Sequence, residues 1–174
     1  INVPALAPAD AVKLSHQLIN GEYLECPDPD LSAAAIANEG DFFPYYIHHI
    51  VKALKIRSLA ATPEHVAEIV ASQLINPDDP WELRHYRERI PIYYGDDHEA
   101  VCLLLDELAC RTDFAPVDDL LAMLKSSSNF DDRERLLRLL SLMERDHYLS
   151  RDAEGRYRFA FPLIRRWWKI NRGL

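Results

Sequence analysis

The stretch Tyr148-Leu149-Ser150-Arg151-Asp152-Ala153-Glu154-Gly155-Arg156-Tyr157-Arg158-Phe159-Ala160-Phe161-Pro162 is where the chain changes period. Upstream, apolar residues recur every three or four positions. Here they alternate with polar ones, as side chains do on a strand. Residues 148–151 and 156–161 read as two short strands, and Asp152-Ala153-Glu154-Gly155 as the tight turn joining them. Three helical patterns precede this hairpin. The first covers residues 97–111, with Val101, Leu104, Leu105 and Leu108 on one face, and the second covers 116–124. The third is capped by Asn129 or Asp131 and ends at Arg145. Ser126-Ser127-Ser128 reads as the loop before it. Pro162 opens a last helix over 163–170, in which Trp168 is the inward residue and Trp167 sits at the edge. Three helices followed by a two-stranded hairpin is the order of a winged helix.

The N-terminal part carries helical signals alone. Residues 8–20 and 31–38 form two helices, the second rich in alanine and able to take a close neighbour. Residues 41–57 form a third, with Pro44 in its first turn and Phe43, Ile47, Ile50, Val51 and Leu54 as its apolar stripe. Thr62-Pro63 starts a fourth, with Thr62 as N-cap. These helices predict a small bundle over 1–76. Residues 78–90, with mixed charges around Trp81, Leu83, Tyr86 and Ile90, read as an exposed connecting helix, and 91–96 as a loop. The expected fold is therefore mainly α: a bundle over 1–76, a connector over 77–95, and a winged-helix domain with one β-hairpin over 96–174.

Composition narrows the functions. Hydrophobic residues make up 48% and charged residues 28%, enough apolar material for a core without staples. Three scattered cysteines do not make a disulfide framework and predict a reducing, cytoplasmic setting. No apolar run has the length of a membrane span, so no membrane partner is expected. The five glycines, Gly21, Gly40, Gly95, Gly155 and Gly173, lie too far apart for a phosphate-cradling loop or a dinucleotide fingerprint. The net charge of −8 hides an asymmetry. Residues 1–132 carry nine Lys/Arg and 23 Asp/Glu, whereas residues 133–174 carry eleven and five. Either two surfaces face different partners, or the two halves attract each other.

No catalytic constellation emerges, so the chain is not expected to be an enzyme on its own. His48 and His49 are adjacent, and neighbours on a helix diverge by about 100°, whereas shared zinc ligation favours i and i+4. Interface or surface positions are expected for them, with no metal. Cys102 and Cys110 are eight residues apart on one helix and read as buried thiols, while Cys26 lies in a proline-rich loop. The acidic pairs Asp78-Asp79, Asp96-Asp97, Asp118-Asp119 and Asp131-Asp132 stand near helix starts, where carboxylates cap N–H groups.

Two stretches carry a family resemblance. Asn38-Glu39-Gly40-Asp41-Phe42-Phe43-Pro44-Tyr45-Tyr46-Ile47 resembles the lid segment of bacterial and archaeal AAA+-like P-loop ATPases of the STAND class. In that family a Gly-x-Pro motif begins a helix that carries aromatic residues beside the adenine. Three residues separate Gly40 from Pro44 here, where the family has one. The second stretch, residues 157–168, is similar to the end of the winged-helix domain that follows the lid, where a strand runs into a helix with Pro-Leu and a Trp pair. The resemblance covers residues 6–171. It implies a lid and regulatory or interaction module of a larger ATPase, with Gly40, Pro44 and Tyr45 near the adenine. It also implies ATP or ADP with magnesium in the parent, no cofactor in this chain itself, an N-terminal ATPase core that this chain lacks, and a protein partner. The start at Ile1 in place of Met fits a fragment or a processed chain.

A transcription-regulator-like winged helix that binds DNA is the alternative. Arg138 and Arg145 share a face of the third helix with Glu134 and Ser141, Arg156 and Arg158 alternate on the hairpin, and Arg165 and Arg166 follow on the last helix. Such cations suit phosphates. The leucine-rich run 136–143 is apolar around most of its circumference, which leaves little surface for reading base edges.

Overall fold

The computed structural model describes residues 5–174, and the chain divides into two compact units, Ile1–Glu82 and Leu83–Leu174. The fold is mainly helical with one small antiparallel sheet. Among the described residues no helix is long and apolar enough to cross a membrane.

The first unit contains α1 (Pro8–Gly21), α2 (Pro29–Glu39), α3 (Pro44–Ile56) and α4 (Pro63–Leu74). Each begins with proline, whose fixed φ and missing N–H suit the first turn. Asp28 caps α2 through the Leu31 N–H at 3.1 Å, and Thr62 caps α4 through the His65 N–H at 3.3 Å. α2 and α3 each pack against the other three helices. Small side chains make this close approach possible. Ala33 and Ala37 are fully buried, and the buried Ser32 donates its hydroxyl to the Ala61 carbonyl at 2.6 Å. Ile36, Ile47, Ile50, Leu54, Val66 and Ile69 fill the centre.

α2 begins at Pro29 where residue 31 was expected, since Asp28 caps it, and two further segments differ more from the sequence expectation. α3 begins at Pro44, not at residue 41, because Asp41 and Phe42 both take left-handed backbone conformations (φ 50° and 61°) and form a turn. Residues 78–90 are not one exposed helix. Asp79 and Glu82 are also left-handed, which breaks the helical path on either side of Trp81. Trp81 and Leu83 are buried.

The second unit opens with two short helices, α5 (His85–Glu88) and α6 (Ile90–Tyr94), followed by a 3-10 turn, Gly95–Asp97. Residues 91–96, expected as a loop, are therefore largely helical. α7 (His98–Cys110), α8 (Val117–Ser127) and α9 (Arg133–Arg145) come next. The cap of α9 is Asp132, which accepts from the Arg135 N–H at 3.0 Å, in place of Asn129 or Asp131. Ser126 and Ser127 belong to α8. β1 (Leu149–Arg151) pairs antiparallel with β2 (Tyr157–Phe159) in the register Leu149 with Phe159 and Arg151 with Tyr157. Gly155 takes φ +79° in the turn between them, a conformation that favours glycine. Ala115, between α7 and α8, adds a one-residue bridge on the far edge of β2, with Ala115 N–H to Tyr157 O at 2.7 Å and the reverse bond at 2.9 Å. α10 (Pro162–Arg172) closes the unit against α7.

Both tryptophans of α10 are buried, Trp167 at 4% and Trp168 at 0% exposure, so Trp167 is not at an edge. The reason is that α10 is covered on two sides. Trp168 meets Phe159 and donates its indole N–H to Asp106 at 2.8 Å. Trp167 lies in a hollow with Arg84, Arg87 and Pro91 beside α5 and α6. Arg89 ties those short helices to the end of α9 and the start of the sheet. Its Nε donates to the Tyr148 hydroxyl at 2.7 Å and one Nη to the Asp146 carbonyl at 3.0 Å. Its guanidinium carbon also lies 4.6 Å from the Tyr148 ring centroid and 4.8 Å from that of Tyr86. The Tyr94 hydroxyl donates to Asp146 at 2.9 Å.

Candidate functional site

Gly40 ends α2 at the point where α3 returns across it. A Cβ there would stand 3.1 Å from Cγ1 of Ile47, 3.2 Å from the Ile47 nitrogen and 3.2 Å from the Ile36 carbonyl oxygen. Its φ is −85°, so space and not backbone geometry selects glycine. The left-handed pair Asp41-Phe42 then turns the chain so that Pro44 occupies the first position of α3. Tyr45 follows on the solvent side at 44% exposure.

Behind Tyr45 lies an aromatic cluster. Its ring meets Tyr46 edge-on at 5.2 Å and His49 at 4.4 Å, and both of those rings approach Trp81, at 5.9 and 6.3 Å. Burial lowers the pKa of His49, and the Lys52 charge adds to this, so the ring is neutral near pH 7. Burial also raises the Tyr45 phenol, helped by Glu82 and Asp79. The result is a cluster of uncharged rings flanked by Lys52, Asp79 and Glu82, with the Tyr45 ring partly exposed and able to stack on a planar group. Gly40, Pro44 and Tyr45 lie along one turn and helix start, and the rings of His49 and Trp81 beside them were not singled out as partners of Tyr45 from the sequence. His49 is at i+4 from Tyr45, a spacing visible in the sequence, while Trp81 arrives from another segment.

The basic residues of the second unit scatter over several places. Arg138 and Arg145 are exposed on α9, in line with Glu134 and Ser141. Arg145 approaches Asp146 at 3.8 Å. Arg156 is tied to Asp152 at 2.7 Å and to Glu154 at 3.3 Å. Arg166 is exposed near the middle of α10. Arg158 and Arg165 are brought together with Arg111 and Thr112 around a cavity of about 100 Å³ that Phe159 and Pro162 also line. Arg158 lies 4.4 Å over the Phe114 ring, and Arg165 donates Nε to the Ala109 carbonyl at 2.9 Å. Arg111 pairs with Glu107 at 2.7 Å and reaches Asp119 at 3.5 Å. Arg111 escaped the sequence reading because it lies in a stretch dominated by acids.

The charge asymmetry also resolves locally. Residues 83–174 hold sixteen Lys/Arg and sixteen Asp/Glu, while residues 1–82 hold four and twelve. The second unit is therefore neutral, and the whole excess of acid belongs to the first. Arg133, Arg135 and Arg172, from the basic end, pair with Asp118, Asp97 and Asp106 of the same unit. Among the described residues no group of three or more His, Cys, Asp or Glu side chains is placed to hold a metal ion. Cys110 is exposed and Cys26 and Cys102 are half-buried, so the thiols of α7 are less enclosed than their helical pattern suggests. Of the four acidic pairs, only Asp131-Asp132 supplies a side-chain cap, through Asp132. Asp97 precedes α7 without capping it, Asp118 and Asp119 lie in the first turn of α8, and Asp78 and Asp79 start no helix.

Comparison with protein-family models, with curated proteins and with solved structures finds no match to the chain.

Proposed function

We propose that this chain is the lid and regulatory region of a P-loop ATPase, non-catalytic in itself, which couples the nucleotide state of a separate core to a protein partner or an autoinhibitory contact. The observation that carries this reading is the junction from Gly40 to Tyr45: a glycine that only its size permits, a tight turn, a proline-led helix, and an exposed ring backed by neutral aromatics. That surface suits an adenine, which offers a planar face and no charge. The order of the second unit supports the same reading. Helix, bridge at Ala115, two helices and a hairpin whose second strand takes the bridge is the chain order of a winged helix. ATP or ADP with magnesium would be held by the core, because the dispersed glycines of this chain cannot wrap phosphates. The test is the coding sequence upstream of Ile1. A GxxxxGK[ST] segment following a strand pattern is expected; a start codon directly before Ile1 would overturn the proposal.

DNA binding is the second reading, and the solvent-facing row Glu134, Arg138, Ser141 and Arg145 on α9 is the observation that favours it. The zero balance of the second unit and the acid partners of Arg156 weigh against it. Duplex binding that falls with salt and is lost on Arg138→Ala with Arg145→Ala would favour DNA; no binding at low salt would remove it.

A further inference from the structure

The cavity between the end of α7, β2 and the start of α10 is small and is lined by three arginines, Arg111, Arg158 and Arg165. Two of them are held in place by contacts that leave hydrogen-bonding capacity. Arg158 holds its guanidinium carbon 4.4 Å from the Phe114 ring centroid, a cation–π contact that consumes no N–H donor as a conventional hydrogen bond would. Arg165 uses only Nε on the Ala109 carbonyl, and its two Nη groups take no part in that bond. Arg111 is different, because Glu107 and Asp119 already balance it, so it contributes wall more than charge. Thr112 adds a hydroxyl that can donate. At about 100 Å³ the space is well below the roughly 300–1,000 Å³ of pockets that enclose drug-sized ligands, so it admits one compact group and not a base with its sugar.

We propose that this cavity binds a single phosphate group, with Arg158 and Arg165 as its principal donors and Thr112 and Arg111 completing the wall. A phosphate offers three strong acceptor oxygens, which suits donors arriving from several sides, and guanidinium forks match its edges. The site stands independently of the ATPase reading, since it lies wholly in the second unit and uses none of the residues from Gly40 to Tyr45.

The experiment is a titration of the intact chain with inorganic phosphate at fixed ionic strength, followed through the arginine Nε–H signals by NMR. Saturable shifts of Arg158 and Arg165 are expected. Arg158→Gln should weaken binding about ten-fold or more, as loss of a charged hydrogen-bond donor does. Arg158→Lys, which keeps the charge but loses the fork, should fall between. ADP and a short duplex DNA then compete against phosphate: displacement that depends on Arg158 names the source of the group, and displacement by neither leaves free phosphate as the ligand. Shifts that do not saturate, that chloride reproduces, or that survive unchanged in both Arg158 variants overturn the proposal.

Discussion

Asp106 on α7 receives Arg172 on α10 through two hydrogen bonds, Nε to Oδ1 at 2.9 Å and Nη2 to Oδ2 at 2.5 Å, and accepts the Trp168 indole N–H on Oδ1 as well. One carboxylate thus anchors the last helix at two points. Asp106→Ala strands the indole donor and the guanidinium together, and is expected to cost about 1–3 kcal/mol. Asp106→Asn keeps an acceptor and should cost less. Urea denaturation of both variants checks the order; equal stability of Asp106→Ala and the parent chain would remove the anchor.

Gly40→Ala places a methyl group against Ile47 and two backbone atoms. Because φ is −85°, the backbone itself tolerates alanine, and the cost comes from crowding. About 1–3 kcal/mol of destabilisation is expected. The second variant Ile47→Ala should not restore the loss, since the Ile36 carbonyl and the Ile47 nitrogen still face the new methyl. Full rescue would show that the side chain alone sets the limit.

His49 gives the first unit a pH response. Its folded pKa lies below the ordinary 6.5, first through burial and then through Lys52 and His48, with Glu82 opposing. The folded state therefore binds the proton less readily than the unfolded chain. The stabilisation is fully present above about pH 6.5 and is lost as pH falls through the lower, folded value. His49→Gln should flatten that part of the stability profile while leaving the limb below pH 4 in place. Glu64, in the same unit, has its pKa lowered by backbone hydrogen bonding and by Thr62, and contributes to the more acidic limb. An unchanged profile between pH 5 and 7 in His49→Gln would count against the assignment.

Trp167→Ala and Trp168→Ala should both be severe, at about 3–5 kcal/mol each, as for other buried aromatic truncations. Thermal melts distinguish this from an edge position for Trp167, which would lose far less.

What the sequence displayed was local chemistry. Thr62-Pro63, Pro44 and Pro162 at the starts of their helices and Gly155 in the hairpin act within a few residues, and they appear where their chemistry places them. The segment around Trp81 was misleading for a physical reason: its apolar spacing mimics a helix and Asp78-Asp79 resembles a helix start, while Glu82, which also turns left-handed, is a residue type with no preference for that conformation. Gly40, Pro44 and Tyr45 were singled out by a resemblance, and the structure adds the left-handed turn at Asp41 and Phe42 that joins them. The arginine cavity was not, because Arg111 joins Arg158 and Arg165 across some fifty residues, through the pairing of Ala115 with Tyr157.

That pairing has a consequence for how a partner could attach. With Ala115 on one edge and β1 on the other, β2 offers little free backbone. β1 is left as the outer strand, three residues long and ending in Arg151. An extended peptide seeking to lengthen the sheet would find too short a template and a charge at its end. A partner bound to this unit would therefore meet side chains on its helices and in its cavities in place of strand backbone, and substitution of those residues would leave the strand pairing undisturbed.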